Sequence, residues 1–502
     1  MTIADVEWDA IVIGTGIGGG TLGRWLAEAG QRVLFLEKGL ADARSAENGL
    51  SETFVPEARA VRGLWPDPLT VEVDGVRQSF YPPLGAGPGG SSVFYAATLE
   101  RPERHDLDDV PGRPHPTGGW ALGFDAFAPY YAEAARRFRV YGTPDPLSAE
   151  APLPLRDPPA LTEVEAALMA RFRAAGLHPY HAHTGVERVA GCGMCLGRKC
   201  PKACKMDGRS AGVEPALVTG RAELLTGAEV TRLVMDGARV AAVEVRVGGL
   251  VRVFRAKRYV LAAGALGSPR VLLRSACEGW ADGVANGSGL VGRNLMFHVN
   301  EMFALWPGVD GPATKAISLR DLYHRDGARL GTVQAMGIRA SYGEIVFYLN
   351  RMLAGRGLSR LAPLTRLPAA MAARILGSAQ IFVGLMEDLP YAENRVGADG
   401  VVHYTLHDEL KARRRAFRRA IRRAMPGRRM FLGVVPELNW GHPCGTLRFG
   451  DDTARSVLRP DGRAHGVENL WVADASFMPT SMGVNPSLTI AAWALRVAEG
   501  MA

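Results

Sequence analysis

The chain has 502 residues with a formal net charge of +8 at pH 7, and 47% of its residues are hydrophobic while 22% are charged. These values are typical of an ordinary globular protein with two or three domains. The sequence contains no apolar stretch of about eighteen residues without a charge, which a spanning helix requires, and its acidic start lacks the apolar core of a signal peptide. We therefore expect a cytoplasmic protein with no membrane span.

The first predicted elements form a strand–helix–strand unit. Residues 9–13 are a short apolar run of the kind found in a buried parallel strand. Residues 21–29 have helical spacing, and residues 32–36 form the next strand, which ends in Glu37. The loop between the first strand and the helix contains Gly14, Gly16, Ile17, Gly18 and Gly19. A glycine-rich loop in this position, with an acid after the second strand, predicts a dinucleotide site.

Each glycine of this loop has a physical role in the predicted site. Gly14 permits the tight turn, Gly16 lets the backbone approach a pyrophosphate, and Gly19 allows the helix to pack closely on the strand. The helix N-terminus supplies free N–H groups and a positive potential for the phosphates. Glu37 would accept hydrogen bonds from the hydroxyls of the adenosine ribose. These residues alone do not distinguish NAD from FAD.

Two long regions are less regular. A polar, Pro- and Gly-rich stretch from about 40 to 88 is interpreted as loops that cover a site. Residues 118–137 predict a turn that leads into a helix. Residues 299–440 are mixed and contain alternating segments, for example 343–349, that predict strands. We interpret this last region as the bulk of a substrate domain inserted between pieces of the nucleotide domain.

A β-rich region lies between them. Residues 243–247 and 251–254 alternate around Gly248-Gly249, which predicts a hairpin. Residues 259–263 predict a second buried strand, and a helix-like segment follows at 269–275. The chain therefore returns to the nucleotide domain after its first unit.

Much of the positive charge is arginine between residues 411 and 429. In this segment Leu410, Phe417 and Ile421 fall at helical spacing, and a Pro-Gly pair ends the pattern. A basic patch for nucleic acid is one interpretation, but a solvated helix face above a buried stripe fits better. The chain has no zinc-finger spacing and no aromatic platform motif, so we expect no nucleic-acid partner.

Further motifs carry a resemblance to a known family. They are Gly-Gly-Ser-Ser at 89–92, Gly-Ala-Leu-Gly-Ser-Pro at 264–269, Gly-Arg-Asn-Leu within 289–298, His-Pro-Cys-Gly-Thr at 442–446, an apolar strand ending in Asp at 469–474, and Gly-Val-Asn-Pro-Ser at 483–487. Together with the N-terminal loop they resemble the glucose–methanol–choline (GMC) family of FAD-dependent alcohol oxidoreductases. The resemblance implies an α/β (α+β) fold, with a Rossmann-like FAD-binding domain built from discontinuous segments and a substrate domain that contains an antiparallel sheet.

The resemblance also implies domain boundaries. The FAD-binding domain would comprise residues 1–40, 85–110, 205–298 and 442–502. The substrate-binding domain and its covering loops would comprise residues 41–84, 111–204 and 299–441.

Two C-terminal residues are implied to be catalytic. His442 would be the general base, and neutral imidazole suits this role because its unperturbed pKa is about 6.5. Asn485 would hydrogen-bond the substrate oxygen as that oxygen gains negative charge, although an Asn before Pro486 could also cap a helix. Hydride would pass from the carbinol carbon to flavin N5. His298 is expected to be structural.

The resemblance assigns further residues to FAD. Asp474 matches the acid that contacts the ribityl–phosphate part, and Val230 matches the adenine contact. Tyr95 stands where the family usually has Asn, so the local flavin environment departs from the family, and the absence of His in that stretch argues against covalent attachment there. The cofactor-contacting positions beyond the first unit are Gly90, Ser91, Tyr95, Val230, Ala263, Gly264, Asp474, Asn485 and Pro486.

Four of the six cysteines lie within thirteen residues, at Cys192, Cys195, Cys200 and Cys204. This spacing is not the pair-and-pair layout of structural zinc, whereas ferredoxin-type clusters do use close cysteines with short gaps. The last three also resemble the iron–sulfur element of sugar dehydrogenases in the family. Two local disulfides or free thiols are the rival interpretation, although a cytoplasmic setting disfavours disulfides, and zinc is the third.

We predict oxidation of an alcohol to an aldehyde or ketone. Residues 387–396 resemble the sugar- and polyol-oxidising branch of the family. Together with residues 204–210 they resemble the flavin dehydrogenases of aminoglycoside antibiotic assembly. The predicted substrate is a sugar, polyol or amino sugar, and an amino sugar would need carboxylates in the pocket. The electron acceptor would be oxygen or another redox carrier.

Other functions remain open at this stage. A sterol or fatty-alcohol oxidase would have a wide apolar pocket. A flavin-binding electron-transfer protein without catalysis, or an NAD-dependent dehydrogenase, would share the nucleotide loop but not need the pair of His442 and Asn485.

Overall fold

The computed structural model describes residues 6–40, 56–188, 195–197, 199, 202, 204–325, 327–354, 357–433 and 435–501. Its helices are α1 (Ile17–Glu28), α2 (Pro56–Val61), α3 (Phe124–Arg137), α4 (Glu163–Ala174), α5 (Glu214–Val218), α6 (Gly264–Arg274), α7 (Tyr342–Ala354), α8 (Arg366–Leu376), α9 (Asp408–Ala424) and α10 (Ser487–Met501). Its strands are β1 (Glu7–Ile13), β2 (Val33–Leu36), β3 (Leu69–Val73), β4 (Val76–Phe80), β5 (Tyr180–His181), β6 (Ala222–Leu225), β7 (Ala228–Asp236), β8 (Arg239–Val247), β9 (Leu250–Leu261), β10 (Val299–Leu305), β11 (Ile317–Leu319), β12 (His324–Arg325), β13 (Ala328–Arg329), β14 (Gly331–Ala335), β15 (Gln380–Met386), β16 (Arg395–Val396), β17 (Val402–Tyr404), β18 (Arg429–Phe431), β19 (Glu437–Leu438) and β20 (Leu470–Val472).

The first sheet contains the predicted strand–helix–strand unit. β1 pairs in parallel with β2 and with the end of β9, while β6 and β20 extend the parallel part on its two sides. β7, β8 and the start of β9 continue as an antiparallel meander. The single long strand β9 therefore serves both the predicted hairpin and the predicted second buried strand.

Helices cover the parallel strands and bury their apolar runs. α1 contacts α10, and α10 contacts α3. α10 is buried over most of its length, and the ring of Trp493 stacks on that of Phe477 with centroids 4.3 Å apart. α3 follows the predicted boundary at residue 111, and its Phe127 and Tyr131 pack in this first core. The domain boundaries stay a prediction.

The second sheet is antiparallel, in the order β18-β10-β15-β14-β11-β5. α9 is the basic helix predicted from the sequence, and its Phe417 and Ile421 are buried in the second core. On its polar side Arg414 and Arg418 pair with Glu301 of β10, with N–O distances of 2.7 and 2.6 Å. The charges of this helix therefore help attach it to the sheet.

The predicted strand at 343–349 is wrong, since this segment lies within helix α7. Its apolar residues alternate locally, but Ile345, Leu349 and Leu353 also recur every four residues, which is the helical period. α7 and α8 form an insertion between the paired strands β14 and β15. None of the described helices combines the length and apolarity needed to cross a bilayer.

Candidate active site

A cavity of ≈ 410 Å³ is lined by residues of both sheets. The loop after β1 lines one part, while His442 and the strands β10, β14 and β15 line another. The predicted site residues that line it are Gly14, Gly16, Ile17, Gly18, Glu37, Gly90, Ser91, Tyr95, Val230, Ala263, Gly264, His442, Asp474, Asn485 and Pro486. Predicted cofactor and catalytic positions from distant parts of the chain thus share one cavity.

The glycine loop has the geometry that a dinucleotide requires. Gly14 has a φ of +101°, and a Cβ there would lie 2.4 Å from the carbonyl oxygen of Ala262. A Cβ at Gly19 would lie 2.1 Å from the carbonyl oxygen of Gly14, so Gly19 serves helix packing and does not line the cavity. Gly16 has open space at its Cβ position and precedes the first residue of α1, where no side chain caps the helix. Free N–H groups beside open space fit a pyrophosphate.

Glu37 lies at the end of β2 and is held by three hydrogen bonds. Its Oε2 accepts from the backbone N–H and the hydroxyl of Thr15 at 3.1 and 2.6 Å, and its Oε1 accepts from the N–H of Gly39 at 3.0 Å. Burial raises the pKa of the Glu37 carboxyl, and these donors oppose that shift. A carboxylate has about four lone-pair sites, and the one that remains, on Oε1, can accept from a ribose hydroxyl.

Asp474 joins the C-terminal strand β20 to the start of α6. Its Oδ2 accepts from the N–H of Gly264 at 2.9 Å and from the hydroxyl of Ser268 at 2.5 Å, while its Oδ1 accepts from the N–H of Ser476 at 2.9 Å. Burial raises the pKa of the Asp474 carboxyl against these bonds. The acid therefore fixes the backbone of residues 263 and 264 at the cavity wall.

The segment that contains Gly90, Ser91 and Tyr95 packs against the glycine loop. A Cβ at Gly90 would lie 3.1 Å from the Cα of Gly16. The Tyr95 hydroxyl donates to the carbonyl of Met206, and burial raises its pKa well above the usual value. The tyrosine that replaces the family's usual Asn therefore stays protonated, with its hydroxyl engaged by the protein.

His442 lies against a second histidine, His298, which is buried. The Nδ1 atoms of the two rings are 3.2 Å apart, and His298 Nε2 is 3.1 Å from the carbonyl oxygen of Met482. Burial lowers the pKa of His298 to about 4. Burial lowers the pKa of His442 well below its usual value, and the nearby titratable groups His298 and Lys315 lower it further. Both rings are therefore neutral at neutral pH.

Asn485 is oriented by the side chain of Gln334 on β14. Gln334 Nε2 donates to Asn485 Oδ1 at 2.7 Å and also to the hydroxyl of Thr332 at 3.3 Å. Asn300 of β10 and Asn439 complete the polar lining near His442, and Asn439 Nδ2 is 3.3 Å from His442 Nδ1. The antiparallel sheet thus supplies the wall opposite the nucleotide domain.

Lys315 is the residue least expected here. It lines the main cavity and also a neighbouring cavity of ≈ 170 Å³, and only 9% of its surface is exposed. Burial lowers its pKa to about 8. The carboxylates that line the main cavity are Glu37, Glu229 and Asp474, and the first two lie next to Lys38 at the nucleotide end.

Sequence reasoning missed several residues of this wall. It gave His298, which contacts His442, a structural role. It did not select the wall residues Asn300, Lys315, Gln334 or Asn439. No motif marks these positions, because they lie on separate segments that only the second sheet brings together. A polar residue within an apolar strand, as Gln334 is within β14, was the available signal.

The cysteine cluster is described in part. Cys192 and Cys200 lie outside the described residues, whereas Cys195 and Cys204 lie within them. In the part of the chain that the structure describes, no group of three or more metal-ligating side chains is found. The choice between an iron–sulfur cluster, disulfides or thiols, and zinc stays a prediction.

Comparison with known proteins gives one consistent result. Two family models described as GMC oxidoreductase match residues 8–300 and 434–494. Paromamine 6'-oxidase from Streptomyces fradiae is 29% identical over 536 aligned residues, which cover 99% of this chain and 92% of that protein. The 2-methyl-1,2-propanediol dehydrogenase of Mycolicibacterium austroafricanum is 27% identical, with 99% of this chain and 96% of that protein covered.

Solved structures agree in fold. Pyridoxine 4-oxidase from Mesorbium loti superposes with a TM-score of 0.62 at 18% identity, covering 98% of this chain and 99% of that chain. A variant of formate oxidase from Aspergillus oryzae superposes with a TM-score of 0.62 at 15% identity, covering 99% of this chain and 98% of that chain. These likenesses support the mixed α/β architecture predicted from the sequence.

Proposed function

The chain belongs to the GMC oxidoreductase family and is an FAD-dependent alcohol oxidoreductase, and we propose that it oxidises a sugar-like alcohol with His442 as the general base. This membership confirms the family, the fold class and FAD as predicted from the sequence. The residues of the cavity fit the cofactor, because the Gly16 loop and Glu37 offer the phosphate and ribose contacts that a dinucleotide needs. When bound, FAD supplies the hydride acceptor.

The hydrogen bonds of His298 support one tautomer of His442. His298 Nε2 faces a carbonyl oxygen, which only accepts, so this nitrogen carries the proton. The neutral His298 ring then has a bare Nδ1, and His442 must donate to it from its own Nδ1–H at 3.2 Å. His442 Nε2 is left without a proton. A bare imidazole nitrogen beside the substrate chamber is what removal of an alcohol proton requires.

The same reasoning orients Asn485. Its Oδ1 accepts from Gln334 Nε2, so its Nδ2–H₂ group is directed away from that bond and remains a donor. A donor of this kind can hydrogen-bond the substrate oxygen while His442 Nε2 takes the proton from it. His442 therefore offers an acceptor, and Asn485 a donor, to the same substrate hydroxyl.

The observation that carries this proposal is the placement of His442 and Asn485 in one cavity with the nucleotide loop. The test is anaerobic bleaching of the bound flavin by a panel of sugars, amino sugars, sterols and long-chain alcohols. We expect sugars to bleach the flavin, and His442→Ala to slow bleaching strongly. His178→Ala, a change at a half-exposed histidine paired with Asp321, is the matched control. Equal rates in all three proteins would remove His442 from the mechanism.

The sugar-like substrate is supported by the relatives and by the polar wall. Two relatives act on aminoglycosides by name, paromamine 6'-oxidase and the 6'''-hydroxyparomomycin C oxidase of Streptomyces lividus, the latter also 29% identical. Amide side chains of Asn300, Gln334 and Asn439 suit the several hydroxyls of a sugar. A sterol or fatty alcohol would leave these amides without partners, which costs free energy. Bleaching by a sterol and by no sugar would favour that alternative.

A further inference from the structure

Lys315 lies in the substrate chamber and forms no ion pair with any residue that the structure describes. It has no hydrogen bond or ion pair to any described residue. Only 9% of its surface is exposed. It lines the junction of the two cavities together with Ala96, Leu196 and Met336. A buried ammonium without a partner is costly, so its presence here calls for a counter-ion.

The neighbouring charges do not provide that counter-ion. Glu100 lies near Lys315 but is bound by Arg320 at 3.2 Å and by the Tyr180 hydroxyl at 2.9 Å. Glu165, in the second cavity, pairs with Arg188 at 3.2 Å. The remaining titratable neighbour on the catalytic side is His442, which is neutral. Within the described part of the chain, the positive charge of Lys315 is therefore not compensated by an acidic group of its own.

We propose that Lys315 binds an anionic group of the substrate and thereby selects hydroxylated acids, such as sugar acids, over neutral and cationic sugars. This inference rests on the proposed function and narrows its substrate class. A charge-assisted bond to a carboxylate replaces the water lost by the buried ammonium. An ammonium group on the substrate next to Lys315 would instead be repelled.

Three sugars that keep the same primary hydroxyl provide the test: gluconate is anionic, glucose is neutral and glucosamine is cationic. We expect the wild-type enzyme to have its highest kcat/KM with gluconate. Lys315→Met should lower kcat/KM for gluconate about 10- to 100-fold through KM, the usual size for a lost charge-assisted bond, while glucose changes little. Lys315→Arg should keep part of the preference for gluconate. Above about pH 8, where Lys315 loses its proton, KM for gluconate should rise and KM for glucose should not.

A second readout does not depend on turnover. In the His442→Ala variant, gluconate binding is followed by the change in flavin absorbance, with and without Lys315→Met. Binding that Lys315→Met leaves unchanged, or a wild-type preference for glucosamine, would overturn the role of Lys315. Bleaching by no alcohol at all would overturn the proposed function instead, while the binding titration still decides the role of Lys315.

A second, independent observation concerns the outer face of the segment Ser359–Leu376, which contains α8. Its exposed residues Leu364, Leu367, Met371 and Ile375 follow helical spacing and have exposed fractions of 70%, 71%, 60% and 50%. On the opposite side Thr365, Ala369 and Leu376 are buried. An amphipathic helix normally turns its apolar stripe inward, so an apolar stripe in solvent indicates a docking surface.

The charges around this stripe indicate what it docks on. Arg360, Arg366 and Arg374 are exposed beside it, and the sequence has no Asp or Glu from 345 to 386. Arg428 lies over the ring of Trp306, whose Nε1 donates to the carbonyl of Ile375. A second copy of the same surface would place arginines against arginines. We infer that the face of 359–376 docks on an anionic lipid surface, with its leucines in the acyl region and its arginines at the headgroups.

Vesicle sedimentation tests this surface. Holoenzyme should sediment with vesicles of phosphatidylcholine and phosphatidylglycerol and not with phosphatidylcholine alone. Leu364→Gln with Leu367→Gln should abolish sedimentation, and each arginine changed to Gln should weaken it about fivefold. Val218→Gln with Val251→Gln, at exposed apolar positions elsewhere, is the matched control. Failure to sediment, or a dimer in light scattering that Leu364→Gln with Leu367→Gln dissociates, would overturn this inference.

Discussion

Replacing His298 tests whether a buried histidine sets the tautomer of the base. In His298→Leu, the Nδ1–H of His442 loses its acceptor, and leaving a buried donor unpaired costs about 1–3 kcal/mol. In the other tautomer Nδ1 of His442 carries no proton. It can then accept a hydrogen bond from Asn439 Nδ2, which lies 3.3 Å away. The ring should therefore change to the form whose Nε2 carries the proton and cannot act as a base.

The expected magnitude follows from these contacts. Since each 1.4 kcal/mol is a factor of about ten in an equilibrium, the base-competent tautomer should fall to about one tenth to one hundredth of the population. The rate of flavin reduction should fall by the same factor. Because His298 does not line the cavity, the bound flavin and the substrate KM should be nearly unchanged.

The assay is anaerobic stopped-flow reduction of the bound flavin by whichever alcohol of the panel bleaches the wild-type enzyme. His298→Gln is the matched control, because its amide can donate to the Met482 carbonyl and accept from His442, and it should keep most of the rate. Wild-type reduction rates in His298→Leu, or equal losses in both variants, would refute the assignment of the tautomer.

Four further predictions concern the same site. His442→Ala should lower flavin reduction about 10²- to 10⁴-fold without loss of flavin, and a rate within tenfold of wild type would contradict it. Gly16→Ala should fold but fail to retain FAD, because its Cβ enters the open space beside α1, whereas Gly287→Ala, also unobstructed, should retain FAD. Burial lowers the pKa of His298 to about 4 in the folded protein, whereas an unfolded histidine has a pKa of about 6.5. In the pH window between these two values the unfolded chain binds more protons than the folded protein. The free energy of unfolding should thus fall by up to about 3 kcal/mol as pH drops through it, and urea titrations with equal pH slopes in wild type and His298→Gln would contradict this. An iron–sulfur cluster in segment 192–204 should leave iron and labile sulfide after flavin removal, and an iron-free, colourless protein would exclude it.

Local patterns in the sequence determined much of the nucleotide-binding half of this protein and one helix of the other half. The strand–helix–strand unit, the hairpin around Gly248-Gly249 and the basic helix α9 are read correctly, because strand alternation, helical spacing and turn glycines act over a few residues. The motif around His442 and Asn485 identified the family for the same reason. At 343–349 the local pattern fits both a strand and a helix. The strand was predicted, but this segment lies in helix α7.

Only the tertiary structure decided how the candidate site is built. His298 and His442 are 144 residues apart in sequence, and Gln334 and Asn485 are 151 apart. No local period relates such residues, so neither the contact of His442 with His298 nor that of Asn485 with Gln334 could be read from the sequence. The burial of Lys315 is likewise a property of the folded chamber. Burial and the distances to other charges, which arise from packing between the two sheets, determine what each of these groups can do.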